Sequence, residues 1–274
     1  MLSSARGRRG GWNGWPVRYG FLENSLLFEG SISERERGMF MREHLPLQRV
    51  QLDPFATVLW EAWPATICSV RQILEHGLDL TGMTVIVGGN GVGKSTVMEA
   101  IAGSFGLNTE GGTHAARHAT STGQSDLTNY LQLVRGPGAS RRGVFFRAET
   151  MHGHFSFLES IGLEQLHEKS HGEAFLEYIS NRVGIGGLWL LDEPESALSF
   201  SGCLALLSLL IELGRTGSQI VLSTHSPVLA ALPGAQILEF SSEGIQRMQY
   251  GDLQMVCEWR RFLESPERYL RYLS

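Results

Sequence analysis

Nine consecutive residues, Gly88-Gly89-Asn90-Gly91-Val92-Gly93-Lys94-Ser95-Thr96, fit the spacing G-x-x-x-x-G-K-[ST]. Glycines at 88, 89, 91 and 93 let a backbone turn tightly and aim successive N–H groups at an anion. A helix starting at the end of the run would add its positive dipole end. In this reading the Lys94 ammonium reaches phosphate oxygens and the Ser95 hydroxyl ligates a divalent cation. The plainer reading is a glycine-rich turn before an ordinary helix. Lys94 and Lys169 are the only lysines in the chain, and every other of its 23 basic residues is arginine. One of the two stands where a compact ammonium on a flexible stem suits phosphate better than a planar fork.

Two further clusters could complete such chemistry. Asp192 and Glu193 follow the apolar run Leu188-Trp189-Leu190-Leu191, and adjacent carboxylates there repel each other unless a cation or a shared proton relieves them. Asp192 could face a metal and Glu193 an attacking water; the plainer role is a capping Asp before a helix. His225 follows Gln219-Ile220-Val221-Leu222-Ser223-Thr224, and an imidazole there could contact a terminal phosphate.

The elements that must position these groups are legible as short strands. Thr84–Val87, Leu188–Leu191 and Gln219–Thr224 are β-branched or bulky apolar runs that read as buried strands. Thr96–Ala102 has helix-forming composition, and ligands of parallel α/β sheets bind at the carboxyl ends of the strands. The pattern predicts an α/β fold, a mostly parallel sheet flanked by helices. An antiparallel portion is added by Gln236–Phe240 and Gly244–Tyr250, and an amphipathic helical tail from Val256 is expected to cover the sheet's edge and face.

In this order the pieces resemble the ATP-binding-cassette (ABC) class of P-loop ATPases, and within it the soluble SMC, RecF and OLD-like branch, most closely small stand-alone bacterial ATPases. The resemblance makes the glycine loop a Walker A motif and Asp192-Glu193 a Walker B motif. It implies ATP and Mg²⁺ as cofactors, with Ser95 and Asp192 on the metal and Glu193, His225 and Lys94 in catalysis. Lys169-Ser170-His171-Gly172-Glu173 stands where relatives carry their signature. Ser170, Gly172 and Glu173 are then expected to contact the nucleotide of a second copy, so that two chains sandwich ATP as a homodimer. By spacing alone Ser170 to Glu173 is also a capping box. Ser196-Ala197-Leu198-Ser199 matches the D-loop position, which in relatives meets the partner. No glutamine matches the Q-loop of transporters; Arg147-Ala148-Glu149 occupies that region, with Glu149 as candidate.

Composition bounds the rest. The chain has 274 residues, is 42% hydrophobic and 19% charged, and suits one α/β domain with a substantial core. Residues 1–44, rich in Ser, Gly and Arg at the start, read as a flexible extension and 45–274 as a single ATPase domain beginning with a strand in Leu45–Leu52. Three cysteines without metal-like spacing fit reduced thiols, and a cytoplasmic location follows. Between Ser95 and Ser170 there are no sustained heptads, so this is a bare head without the coiled coils of SMC relatives. A net charge of −5 argues against a general DNA clamp. Arg135, Arg141, Arg142 and Arg147 form one basic cluster that could meet nucleic acid or an acidic protein partner.

The expected function is Mg²⁺-dependent ATP hydrolysis that switches a dimer, in DNA repair or defence. Two alternatives stay open. One is the ATP-binding subunit of a membrane transporter, against which stand the S-H-G-E signature, the missing Q-loop glutamine and Ser226-Pro227 after His225. The other is a low-turnover interaction protein of a defence or toxin–antitoxin system that uses ATP as a conformational ligand.

Overall fold

A computed structural model of the chain describes residues 44–108, 126–147 and 171–271. The expected extension before residue 44, Glu149, Lys169 and Ser170 lie outside the described residues. In chain order the elements are β1 (Arg49–Leu52), α1 (Cys68–His76), β2 (Leu78–Asp79), β3 (Met83–Gly88), α2 (Lys94–Phe105), α3 (Leu127–Tyr130), β4 (Leu131–Val134) and β5 (Gly143–Arg147). There follow α4 (His171–Ser180), β6 (Leu188–Asp192), a 3₁₀ turn (Pro194–Ala197), α5 (Phe200–Arg215) and β7 (Gln219–Ser223). The chain continues through α6 (Pro227–Ala230), β8 (Gln236–Ser241), β9 (Gly244–Met248), a second 3₁₀ turn (Tyr250–Asp252), α7 (Gln254–Glu264) and α8 (Glu267–Leu270).

The principal sheet has six strands in the order β5-β6-β7-β3-β8-β9; all neighbours are parallel except the β8–β9 hairpin. Continuous apolar strands are what a parallel sheet covered on both faces requires. The side-chain period of two then sorts each strand between two cores. Val85, Val87, Val144, Phe146, Trp189, Leu191, Ile220 and Leu222 face α4, α5 and α6. Ile86, Phe145, Leu188, Leu190, Val221 and Leu238 face α1, α2 and a second, antiparallel sheet of order β2-β1-β4. Phe146 meets Phe175 and Tyr178 of α4 edge-on, at centroid distances of 5.4 and 4.9 Å, which fixes α4 over the sheet. Truncating such a buried ring costs about 3–5 kcal/mol.

The expected mixed sheet and its antiparallel part are present, and several boundaries differ. The strand expected in Leu45–Leu52 is confined to its last four residues, while Leu45 and Leu47 are buried without strand pairing. Helix α1 and the short strands β2 and β4 have no counterpart in the sequence reading. The tail covers less than expected: Val256 is the buried residue of α7, whereas Trp259, Phe262 and Leu263 are exposed. The basic cluster is also split. Arg135 lies over the Phe105 ring at 4.1 Å and Arg147 pairs with Glu99 and Asp192, leaving Arg141 and Arg142 exposed.

Candidate functional site

Three neighbouring strands end together. β3 runs into the glycine loop, β6 ends in Asp192, and β7, lying between them, leads through Thr224 to His225. Register places Asp192 opposite Ser223, and the N–H of Thr224 donates to Ile86 O at 3.0 Å. Parallel pairing alone therefore brings residues from three distant parts of the chain to one edge.

The loop's glycines divide by role. A Cβ at Gly88 would stand 2.2 Å from Phe240 O, and one at Gly93 would stand 3.0 Å from both Ile67 and Ser69 side chains. These two glycines let the loop lie against its own fold; Ser69, at the start of α1, also donates its hydroxyl to Val92 O. At Gly89 and Gly91 a Cβ would meet nothing within 4 Å, and Gly89, Asn90 and Gly91 are exposed. The open side of the loop is thus its tip, as an anion cradle requires.

Lys94 is the first residue of α2 and only 5% exposed. Its Nζ donates to Gly88 O at 3.0 Å and to Gly89 O at 2.9 Å. It also lies 2.9 Å from His225 Nε2 and 3.9 Å from Glu193 Oε1. Burial holds the ammonium below the usual lysine range, opposed by the charges of Glu193, Asp192 and Glu195. His225 Nε2 is 3.1 Å from Glu193 Oε1. One ring nitrogen is a donor or an acceptor, so it satisfies either Lys94 or Glu193 at a given moment. Withdrawal of Lys94 toward a phosphate would free the nitrogen to donate.

Asp192 is 2% exposed, and Ser95 donates to its Oδ1 at 3.3 Å. Burial pushes its carboxyl up; Ser95, Arg147 and Ser223 pull it down, and Glu193 adds to the rise. A hydroxyl and a carboxylate side by side form a hard oxygen pair suited to Mg²⁺, so Ser95 and Asp192 fit the cation expected from the sequence. Arg147, across the strand pair from Asp192, lies 3.7 Å from its Oδ2 and pairs with Glu99, one helical turn beyond Ser95. Arg147 thus approaches the carboxyl oxygen that Ser95 does not contact, and Glu99 holds Arg147.

Glu193 is 36% exposed and takes a left-handed conformation, φ 50° and ψ 49°, the sole non-glycine positive φ among the described residues. Such a conformation costs about 1 kcal/mol or more and is a common property of reactive positions. The N–H of Glu193 donates to Ser223 O at 2.9 Å, and Pro194 follows. The bend turns its carboxylate away from the sheet and toward Lys94 and His225.

The remaining sequence-predicted residues lie at α4. Gly172 and Glu173 are in its first turn, Glu173 exposed, with the expected Ser170 outside the described residues. A Cβ at Gly172 would stand 2.8 Å from Ala197 O, so this glycine admits the neighbouring turn of its own chain. Ser199, at the end of the D-loop match, is the N-cap of α5 and accepts from Gly202 N at 3.2 Å. Val92 and Thr96 complete the loop, Val92 through the carbonyl that accepts from Ser69.

Sequence reasoning missed Glu99, Glu195 and the inward use of Arg147. Ser95 and Glu99 stand at i and i+4 on α2, a spacing that could have signalled one shared face. The D-E-P-E run Asp192–Glu195 offered a third carboxylate in four residues.

No protein-family profile matches the chain. An uncharacterized ABC transporter ATP-binding protein of Haemophilus influenzae is 25% identical over 191 residues, 61% of this chain and 73% of that protein. The cytochrome c biogenesis ATP-binding export protein CcmA of Paramagnetospirillum magneticum is 29% identical over 187 residues, 60% and 84% of the two chains. The molybdenum import ATP-binding protein ModC of Mycobacterium tuberculosis is 28% identical over 191 residues, 59% of this chain and 52% of its own length. Among solved structures, an inward-facing metal-chelate type ABC transporter aligns at TM-score 0.35 and 20% identity, over 65% of this chain and 76% of that one. The SMC head domain of Thermotoga maritima aligns at TM-score 0.35 and 13% identity, over 75% and 100%.

Proposed function

We propose that the chain is an ABC-class P-loop ATPase that binds ATP with Mg²⁺ at the loop Gly88–Thr96, hydrolyses it through Glu193, and works as a homodimer whose opening and closing follow the nucleotide. The observation that carries this reading is the meeting of Lys94, Ser95, Asp192, Glu193 and His225 from three strand ends within contact distance of one another.

The backbone N–H groups of the loop and Lys94 bind the phosphates, and Lys94 leaves Glu193 and His225 to do so. Ser95 and Asp192 would hold Mg²⁺, which supplies charge neutralisation at the transferring phosphoryl group when bound. Glu193 then accepts the proton of the attacking water; its partial exposure gives water access that the buried Asp192 lacks. His225, relieved of Lys94, donates from Nε2 toward the terminal phosphate. Ser170, Gly172 and Glu173 of one copy face the nucleotide of the other, where a helix N-terminus favours an anion. The domain boundaries proposed for this machine are 45–274, with 1–44 as an extension.

Phosphate release tests the reading directly. The parent chain with Mg²⁺ and ATP should turn over and dimerise on sizing columns with nucleotide, while Lys94→Ala does neither. Equal rates for the two would refute it. A turnover far below one per minute would favour the low-turnover interaction protein.

A second reading, the ATP-binding subunit of a membrane transporter, is favoured by the names of the curated relatives. No described helix is long and apolar enough to cross a membrane. Recovery of a membrane-spanning partner with the tagged chain would choose this reading; an ATPase dimer recovered alone would choose the first. A DNA repair or defence role draws on the likeness to the SMC, RecF and OLD branch, and nucleic-acid stimulation of turnover is its test. A cytoplasmic location accords with either setting.

A further inference from the structure

Glu195 has no part in the chemistry above. It sits in the 3₁₀ turn Pro194–Ala197, two residues past Glu193, and its Oε1 accepts a hydrogen bond from the backbone N–H of His225 at 2.5 Å. Its Oε2 is sealed from water, and the Thr224 hydroxyl lies within hydrogen-bonding reach of the carboxyl. Burial pushes the carboxyl up, and the nearby charge of Glu193 adds to the rise. A carboxylate with one oxygen sealed from water beside that of Glu193 is an expensive way to satisfy one N–H, which a water or a carbonyl-bearing side chain could serve. Local rules broken at such cost concentrate at working sites.

We propose that Glu195 is a positioning residue for hydrolysis: by holding the His225 backbone it keeps the imidazole over Glu193 and Lys94. This rests on the ATPase reading above. The same turn carries Ala197, whose carbonyl packs against Gly172 at the start of α4. A displacement of α4 therefore has a short mechanical route, Gly172 to Ala197 to Glu195 to His225. Glu195 links the signature half of the site to the histidine within one chain.

The test compares Glu195→Ala with Glu195→Gln, which keeps an oxygen acceptor, in the full chain. Measured are kcat and KM for ATP, the affinity for a fluorescent ADP analogue, and each pair of variants in a His225→Ala background. Glu195→Ala should lower kcat about 10- to 100-fold, the scale of a misplaced catalytic group, with ADP affinity held within about threefold. Glu195→Gln should recover most of the rate, and neither change should matter once His225 is alanine. Parental kcat in Glu195→Ala overturns the proposal, as does an undiminished effect in the His225→Ala background or a glutamine variant as damaged as alanine. If Glu195→Ala does not fold, Glu195→Asp, one methylene too short to reach the N–H, takes its place under the same criteria. A parent that releases no more phosphate than Lys94→Ala removes the ATPase reading and this proposal with it; an active parent beside an unaffected Glu195→Ala removes this proposal alone.

Discussion

At the carboxyl edge of β3, β6 and β7, each reactive group is held by neighbours in its own chain. Lys94 rests on two loop carbonyls, Asp192 on Ser95, and Glu193 and His225 on each other. At the start of α4, by contrast, Glu173 faces solvent and Gly172 is spent on close packing with Ala197. One region is prepared before any ligand arrives, and its geometry explains its residue types. The other presents an exposed acid at a helix beginning, beside a glycine that packs against a neighbouring turn. Under the proposed homodimer, the difference separates what one chain completes from what a second copy would supply.

The sharpest way to break that contrast is at Glu193. Glu193→Gln should reduce kcat by about 10²–10⁴-fold, the range for a general base, while nucleotide binding persists; single-turnover phosphate release measures it, and unchanged turnover would end the assignment. Next comes Lys94→Ala, which removes a charge-assisted contact worth about 3 kcal/mol and should weaken ATP binding about 100-fold by calorimetry. Mixing the inactive Lys94→Ala and Ser170→Ala chains should then restore one composite site. The mixture is expected to reach about a quarter of parental turnover, from one intact site in the half of dimers that are mixed, if sites act independently. No recovery would return the start of α4 to a purely structural role.

Smaller effects sharpen the comparison. Ser199→Ala removes an N-cap and should cost about 1 kcal/mol in denaturant unfolding, as in any capped helix. Asp192→Asn, tested without metal, should raise the melting temperature by about 2–4 °C near neutral pH. The sign follows from linkage. The folded Asp192 carboxyl is raised, so below its folded pKa the native state holds the extra proton, and stability is lost as pH rises through that pKa. The gain of the asparagine variant should accordingly shrink as pH falls toward the ordinary Asp range. The same variant should lose Mg²⁺ binding, separating the two functions of this side chain.

The phosphate loop was legible because a strand, a glycine turn and a helix start are contiguous, and their chemistry is written in nine residues. Asp192-Glu193 and His225 were legible as strand endings for the same reason. Their mutual placement was not, since Ser95 and Asp192 are 97 residues apart and the order β6-β7-β3 sets them side by side. Arg147 was read as part of a basic surface because composition cannot tell which arginine turns inward; pairing of β5 with β6 decides it. The apolar residues of α7 were expected to cover the sheet, yet periodicity reports an amphipathic face without saying what meets it.

By itself the sequence determined the motifs, the alternation of buried strands and helices, and hence an α/β ATPase fold, because these depend on neighbours along the chain. Only the tertiary structure decided that Glu195 ties down His225, that Gly88 and Gly93 serve packing while Gly89 and Gly91 face outward, and that Glu99 and Arg147 stand behind Asp192. Those facts depend on which strands lie adjacent, a choice made by the whole core when it closes and recorded in no single stretch of residues.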